Sequence, residues 1–284
     1  MAHVRAGLSR TILVAIVVGL LIAMPAANVW PLLLLKLGAR GAAILEIIFL
    51  TLFLWWTSGG GPPARLRHLR ADCFRRTRLS AAEWAWGLVA AVSFAATVHA
   101  AIILLFRFEP FPAQAFHRGY DLSFVPTQSL RWLACIVSAL SAAVCEETGF
   151  RGYLQRPIEL RSTPTLAVLI SSVFFTLVHL QKSWALVPMV PIVFGAGALL
   201  GSLARASGTL LFGILGHWIM DIGLFAYWWA QIAGTFGERT VWQTGWDRPF
   251  ATECVAFIIV LSVLVTATLQ LKKLSRADGG VGLS

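Results

Sequence analysis

Charge is scarce in this sequence. Only 13% of the 284 residues are Asp, Glu, Lys or Arg, against 58% that are hydrophobic, whereas a soluble domain carries roughly a quarter charged residues. That balance excludes an ordinary soluble fold and points to a polytopic membrane protein of the all-α class. Cysteine is scarce as well. The four present, Cys73, Cys135, Cys145 and Cys254, show no paired spacing, which argues against a disulfide framework or a zinc ribbon. Cys145, beside Glu146, reads as a small apolar packer rather than a thiol nucleophile. The compact HExxH spacing of a zinc-binding helix is missing, and so is any fixed-period repeat or pair of matching broken segments of the kind that build transporters.

What the chain has in quantity is apolar runs. Crossing about 30 Å of hydrocarbon takes roughly 20 apolar residues, and about eight transmembrane helices are expected, near 11–35, 38–56, 84–106, 130–155, 165–181, 184–204, 209–230 and 251–271. The basic loop 57–83 carries Arg65, Arg67, Arg70, Arg75, Arg76 and Arg78. Placing it inside puts 15 of the 23 Lys and Arg on that side, so both termini are expected in the cytoplasm. Those arginines suit anionic lipid headgroups, and no nucleic-acid partner is implied. The loop opens on a Gly/Pro break and is expected to end in a short helix on the membrane surface, RLSAAEW, with Ser80 capping and Glu83 completing a capping box. Trp30, Trp55, Trp56, Trp84, Trp86, Trp184, Trp228 and Trp229 fall near span ends, where interfacial anchors sit. The expected organisation is N-terminal helices over 1–129, a core over 130–230, and a last loop, helix and tail over 231–284. The Ala- and Arg-rich composition is compatible with a bacterial inner membrane.

Ionisable groups inside a bilayer are expensive and mark functional positions. Three islands stand out. In SAAVCEETGFRGYLQRP (141–157), Glu147 and Arg151 are four apart and neutralise one another on one helical face, while Glu146 points about 100° away without that partner. In FTLVH, Phe175 and His179 are four apart. In HWIMD, His217 and Asp221 are four apart, so the carboxylate can hold the imidazole in a chosen tautomer, although a structural interhelix hydrogen bond gives the same pattern.

Register brings the islands together. Residues 146 and 179 are equidistant from the hairpin turn at RSTPT, each about 25 Å away at 1.5 Å per residue. Glu146 and His179 are therefore expected at one depth inside the bilayer boundary. His217, about 12 Å into its own span, reaches the same level.

A carboxylate and two imidazoles at a buried point suit activation of water. Glu146 takes the proton and returns it to a leaving amine, while the imidazoles position the water and stabilise an oxyanion. Hydrolysis is the expected reaction class, with a peptide bond as the expected target. The alternative is zinc held by Glu146, His179 and His217 with an open position. A rival of another class is a non-catalytic scaffold or a proton-coupled transporter, for which Glu46 and His99 supply further buried groups; Glu46 reads better as a helix-bonded or snorkelling residue.

At these residues the sequence is similar to a known family. EETGFR, FTLVH and HWIMD, in that order and on separate spans, resemble the three motifs of the CAAX protease and bacteriocin-processing (CPBP, or Abi) intramembrane proteases, which include the type II CAAX prenyl proteases. The likeness covers roughly 130–230. It implies a multi-helix core around a polar cavity, a glutamate-dependent and metal-independent mechanism, and a membrane-associated peptide or protein substrate. It also implies Glu146 as base, His179 as the water-positioning residue and His217 with Asp221 on the oxyanion side, with Glu147, Arg151 and Phe175 in support. Asp221 stands where the prenyl proteases have Asn. A carboxylate donates a hydrogen bond only when protonated, so Asp221 is expected to orient or charge His217.

Overall fold

The computed structural model describes residues 2–75, 78–180 and 184–280, and no strand occurs among them. Arg76 lies outside the described residues, as do the side chains of Trp184 and of positions 1–6 and 276–280.

Helices α1 (Ala2–Ala23) and α2 (Pro25–Thr57) form a nearly continuous apolar run. Its candidate membrane portion, Gly7–Thr57, has 51 residues, about 76 Å at 1.5 Å per residue and too long for one crossing. Gly38 breaks it with φ 66° and ψ 173°, a conformation that a residue without Cβ adopts readily. Contacts on either side of the break show two passes. Thr11 accepts a hydrogen bond from Arg161 (2.9 Å), Trp30 and Leu34 pack with Leu122 and Val125, and the Thr57 carbonyl returns to Tyr153 Oη (2.9 Å). The expected pair of spans is thus one helical run folded at a glycine.

The loop after Thr57 is tied by Arg70, whose guanidinium donates to the carbonyls of Gly60, Gly61 and Pro62 and lies over Trp56. The short helix α3 (Arg67–Phe74) follows. Ser80 and Glu83 do form a capping box, but it opens the 28-residue helix α4 (Ala81–Phe108). The expected surface helix is instead the first turn of a candidate span, because nothing after Glu83 interrupts the apolar helical run.

After α5 (Ala113–Gly119) the chain enters α6 (Gln128–Glu146), capped by Thr127, and winds on as a π-helix over Glu147–Gln155 into α7 (Arg156–Glu159). Thr163 caps α8 (Pro164–His179), which has 16 residues. Then come α9 (Val190–Ser207), stopped by Gly208 at φ 65°, and α10 (Leu211–Gly223), which runs into a second π-segment, Leu224–Trp229. The described chain closes with α11 (Val241–Thr244) and α12 (Arg248–Gly280). Six helical stretches are long and apolar enough to cross a membrane. The broken first stretch and the short α8 account for the difference from eight.

Polar contacts mark the two ends of the bundle. At one end Arg75 binds Glu159 (3.0 Å) and pairs through its backbone with Thr209, and Ser275 donates to the Ala206 carbonyl (2.9 Å). With Thr11 beside Arg161, this places the beginning of α1 and the later part of α12 at the same end. At the other end the buried Arg107 gathers Asp247 (2.8 Å), Glu238 (3.3 Å) and Glu253 (3.5 Å), holding the segment before α12 against α4. Trp30, Trp228 and Trp229 are buried rather than interfacial, whereas Trp55, Trp56, Trp84 and Trp86 are exposed. Trp242 and Trp246 are more exposed still. Glu46 is buried and accepts a hydrogen bond from Ser141 of α6, so it is helix-bonded and does not snorkel.

Candidate active site

The site forms where the end of α6, the following π-helix, α8 and α10 meet. Close approach there depends on small residues, as in other membrane helix pairs. A Cβ on Gly149 would lie 2.6 Å from the Gly19 carbonyl oxygen, and one on Gly19 would lie 2.6 Å from Leu154 Cβ. Helix α1 therefore rests directly on the π-helix. A Cβ on Gly213 would lie 3.0 Å from Glu147 Oε2, so glycine in α10 leaves space for that carboxylate.

The adjacent glutamates have different surroundings. Glu147 is fully buried, and its Oε1 accepts from Arg151 Nη1 (2.8 Å) and faces His217 Nδ1 (3.0 Å). Arg151 also donates to the Gly197 carbonyl of α9 (3.2 Å), and its guanidinium lies 4.4 Å from the Phe175 ring centroid. Pairing and hydrogen bonding of this kind make a buried charge tolerable. Glu146 has an 18% exposed side chain. Its Oε2 makes no hydrogen bond among the described residues, and lies 3.7 Å from His179 Nε2 and 4.0 Å from His217 Nε2.

The histidines are oriented from behind. His179 Nδ1 lies 2.7 Å from the carbonyl of Phe175, one turn earlier. A carbonyl accepts only, so Nδ1 carries a proton and Nε2 is the nitrogen turned toward Glu146. The Phe175 ring packs against His179 (centroids 4.4 Å), His217 (6.0 Å) and Phe150 (5.3 Å), so this phenylalanine bears on both imidazoles. His217 is bracketed by Glu147 at Nδ1 and by Asp221 Oδ2 at Nε2 (3.4 Å). All seven residues singled out in the sequence thus lie in one cluster.

Two contacts were not legible beforehand: the bond from Glu147 to His217 and the one from Arg151 to Gly197. Neither leaves a mark in local spacing. Gly213 and Gly197, small residues amid bulky apolar neighbours, were the available signal.

Two cavities converge on the cluster. One, of about 970 Å³ including its solvent-open part, lies among α4, α8, α9 and α10 and is mostly apolar. The other, of about 990 Å³ on the same basis, lies among α1, α2, α6 and α8. Ala142, Glu146, His179, Phe225 and Trp229 line both. Glu46 and His99 line neither; His99 is held between the Met220 carbonyl (3.1 Å) and the Trp228 indole (3.2 Å).

For the zinc alternative, ligands 2.0–2.2 Å from a tetrahedral metal lie about 3.4 Å apart. The gaps of 3.7 and 4.0 Å around Glu146 are wider. Among the described residues no group of three or more His, Cys, Asp or Glu is arranged to hold a metal ion.

Residues 127–223 match the family model described as Type II CAAX prenyl endopeptidase Rce1-like. No curated protein and no solved structure compared with the chain matches it.

Proposed function

We propose that this chain, an integral membrane protein whose residues 127–223 match the Rce1-like type II CAAX prenyl endopeptidase family model, is an intramembrane endopeptidase that uses Glu146 as its base. The observation that supports this most directly is the placing of Glu146. It faces the Nε2 atoms of two histidines at 3.7 and 4.0 Å, at the junction of two cavities, while its neighbour Glu147 is engaged by Arg151 and His217.

The two acceptors suit one water. Its hydrogens point to Glu146 and to His179 Nε2, which turns an oxygen lone pair toward a peptide carbonyl in the cavity. As that oxygen attacks, its proton passes to Glu146, and the carbonyl becomes a tetrahedral oxyanion. Glu146 then protonates the leaving amine as the carbon–nitrogen bond breaks, which restores the carboxylate. His217 Nε2 faces the same space and serves the oxyanion when the ring carries both protons. Glu147 and Asp221, one at each ring nitrogen, compensate that charge. Asp221 acts through His217 in this scheme, and Glu147, Arg151 and Phe175 hold the frame.

The substrate is a membrane-associated peptide or protein, and the chemistry requires no metal. The test is cleavage of tagged membrane peptides by purified protein in detergent, comparing wild type with Glu146→Gln, each with and without a strong chelator. Loss in the variant with survival under chelation supports the proposal. Loss under chelation favours zinc. A folded variant that cleaves as wild type does removes Glu146 from the chemistry.

A further inference from the structure

A protease must hold its substrate on both sides of the bond it breaks, and the two cavities on either side of Glu146 and His179 differ in chemistry. The one among α4, α9 and α10 is walled by aliphatic side chains such as Val98, Ile102, Val193 and Leu200. The second is bounded by Ala23, Met24, Trp30 and Pro31 of the first two helices, by Tyr120, and by Ser138 of α6. Its walls combine aromatic faces with hydrogen-bonding groups. Tyr120 stacks on Phe225 (centroids 4.7 Å, planes 14° apart), and its hydroxyl faces Ser138 and the Trp30 indole. Trp30 is 1% exposed, and the Tyr120 hydroxyl is the group that its indole N–H faces.

A bound peptide matches such a lining. Its backbone offers a carbonyl at every residue, and its apolar side chains suit the aromatic walls. Small ligands are typically held in this way, by mostly apolar linings with a few placed polar groups.

We propose that this second cavity is a substrate subsite. It receives an extended polypeptide segment on one side of the scissile bond, with an apolar side chain against Trp30, Tyr120 and Phe225. The inference rests on the endopeptidase reading of Glu146 and deepens it. Trp30 and Tyr120 lie outside the family-matched residues 127–223. The matched region then carries the chemistry, and residues before it help to select what is cut.

Two measurements test this. In the first, a peptide library is digested by wild type, Trp30→Phe and Ser138→Leu, and the products are mapped by mass spectrometry. Trp30→Phe reshapes the aromatic wall, and Ser138→Leu narrows the cavity. The expected result is a change in residue preference confined to one side of the scissile bond, with kcat/KM for the preferred wild-type peptide falling about tenfold. An unchanged preference in folded variants overturns the subsite, and so does a uniform fall at all positions. In the second, a benzophenone-bearing membrane peptide is photo-crosslinked to Glu146→Gln protein. Attachment to Trp30, Tyr120 or Ser138 supports the subsite, and attachment confined to the aliphatic cavity overturns it. Because crosslinking needs no turnover, failure of all cleavage would count against the endopeptidase reading and leave the cavity's occupancy separately decided.

Discussion

Glu147 and His217 are joined by a 3.0 Å contact between Oε1 and Nδ1 that spans 70 residues of sequence. It gives two neighbouring glutamates different surroundings, since the same carboxylate also takes the Arg151 guanidinium and Glu146 is left facing the cavity. Glu147→Gln therefore leaves a fully buried arginine without its counter-charge, a change that costs about 3–5 kcal/mol when a buried pair is broken. A clear drop in thermal midpoint in detergent is expected, together with lost activity.

Glu146→Gln is expected to behave in the opposite way. Its side chain is partly exposed to the cavity and makes no ion pair as close as the one between Glu147 and Arg151. The thermal midpoint should stay near wild type while cleavage falls by about 10²–10⁴, the usual contribution of a general base. A variant that unfolds as Glu147→Gln does would contradict this division.

His179 has its tautomer fixed by the Phe175 carbonyl. His179→Ala should lower kcat by at least about 10². His179→Gln, which keeps a polar tip, should regain part of that loss. Equal kcat values for both variants and wild type would remove His179 from the handling of water.

Helix α1 meets the π-helix through Gly19 and Gly149. Gly149→Leu forces the two backbones apart. Lost activity with increased protease sensitivity of α1 is expected, because the helix can no longer dock. Limited proteolysis followed by mass spectrometry reads this directly.

A pH effect is expected at the far end of the bundle. The Asp247 carboxyl is held below its ordinary value of 3.8, chiefly by the Phe250 backbone N–H, with Thr244 and Arg107 assisting. A depressed carboxyl contributes stability that is fully present above its ordinary value and is lost as pH falls through the lowered one. The thermal midpoint of wild type should thus fall below about pH 4. Asp247→Asn should have a lower midpoint at neutral pH and a flatter acid dependence; coincident profiles would deny Asp247 that contribution.

Much of the site was legible because it obeys helix arithmetic. Glu146 and His179 are equidistant from one hairpin, and a pair of antiparallel helices turns that symmetry into proximity, observed at 3.7 Å. The four-residue spacings of Glu147 with Arg151 and of His217 with Asp221 likewise became contacts. What escaped depends on packing between distant segments. Trp30 and Trp228 sit where interfacial anchors are expected, yet both are buried. Hydropathy records that an indole is amphipathic, not which neighbour covers it. The capping box at Ser80 was correctly placed but assigned to the wrong helix, since a cap marks where a helix begins and not how long it runs. The π winding after Glu146 left no trace in the spacing of apolar residues.

On the proposed hydrolytic reading, the brevity of α8 bears on where water enters. Sixteen residues make about 24 Å of helix, short of a hydrocarbon layer of about 30 Å. A helix that stops below the far surface ends in carbonyls with no amide of their own turn to meet. Within a bilayer such groups are stable only where protein or water reaches them. His179 is the last residue of that helix and lines both cavities. On the hydrolytic reading proposed above, water that reaches this end of α8 stands beside His179, where the second reactant of the reaction is needed.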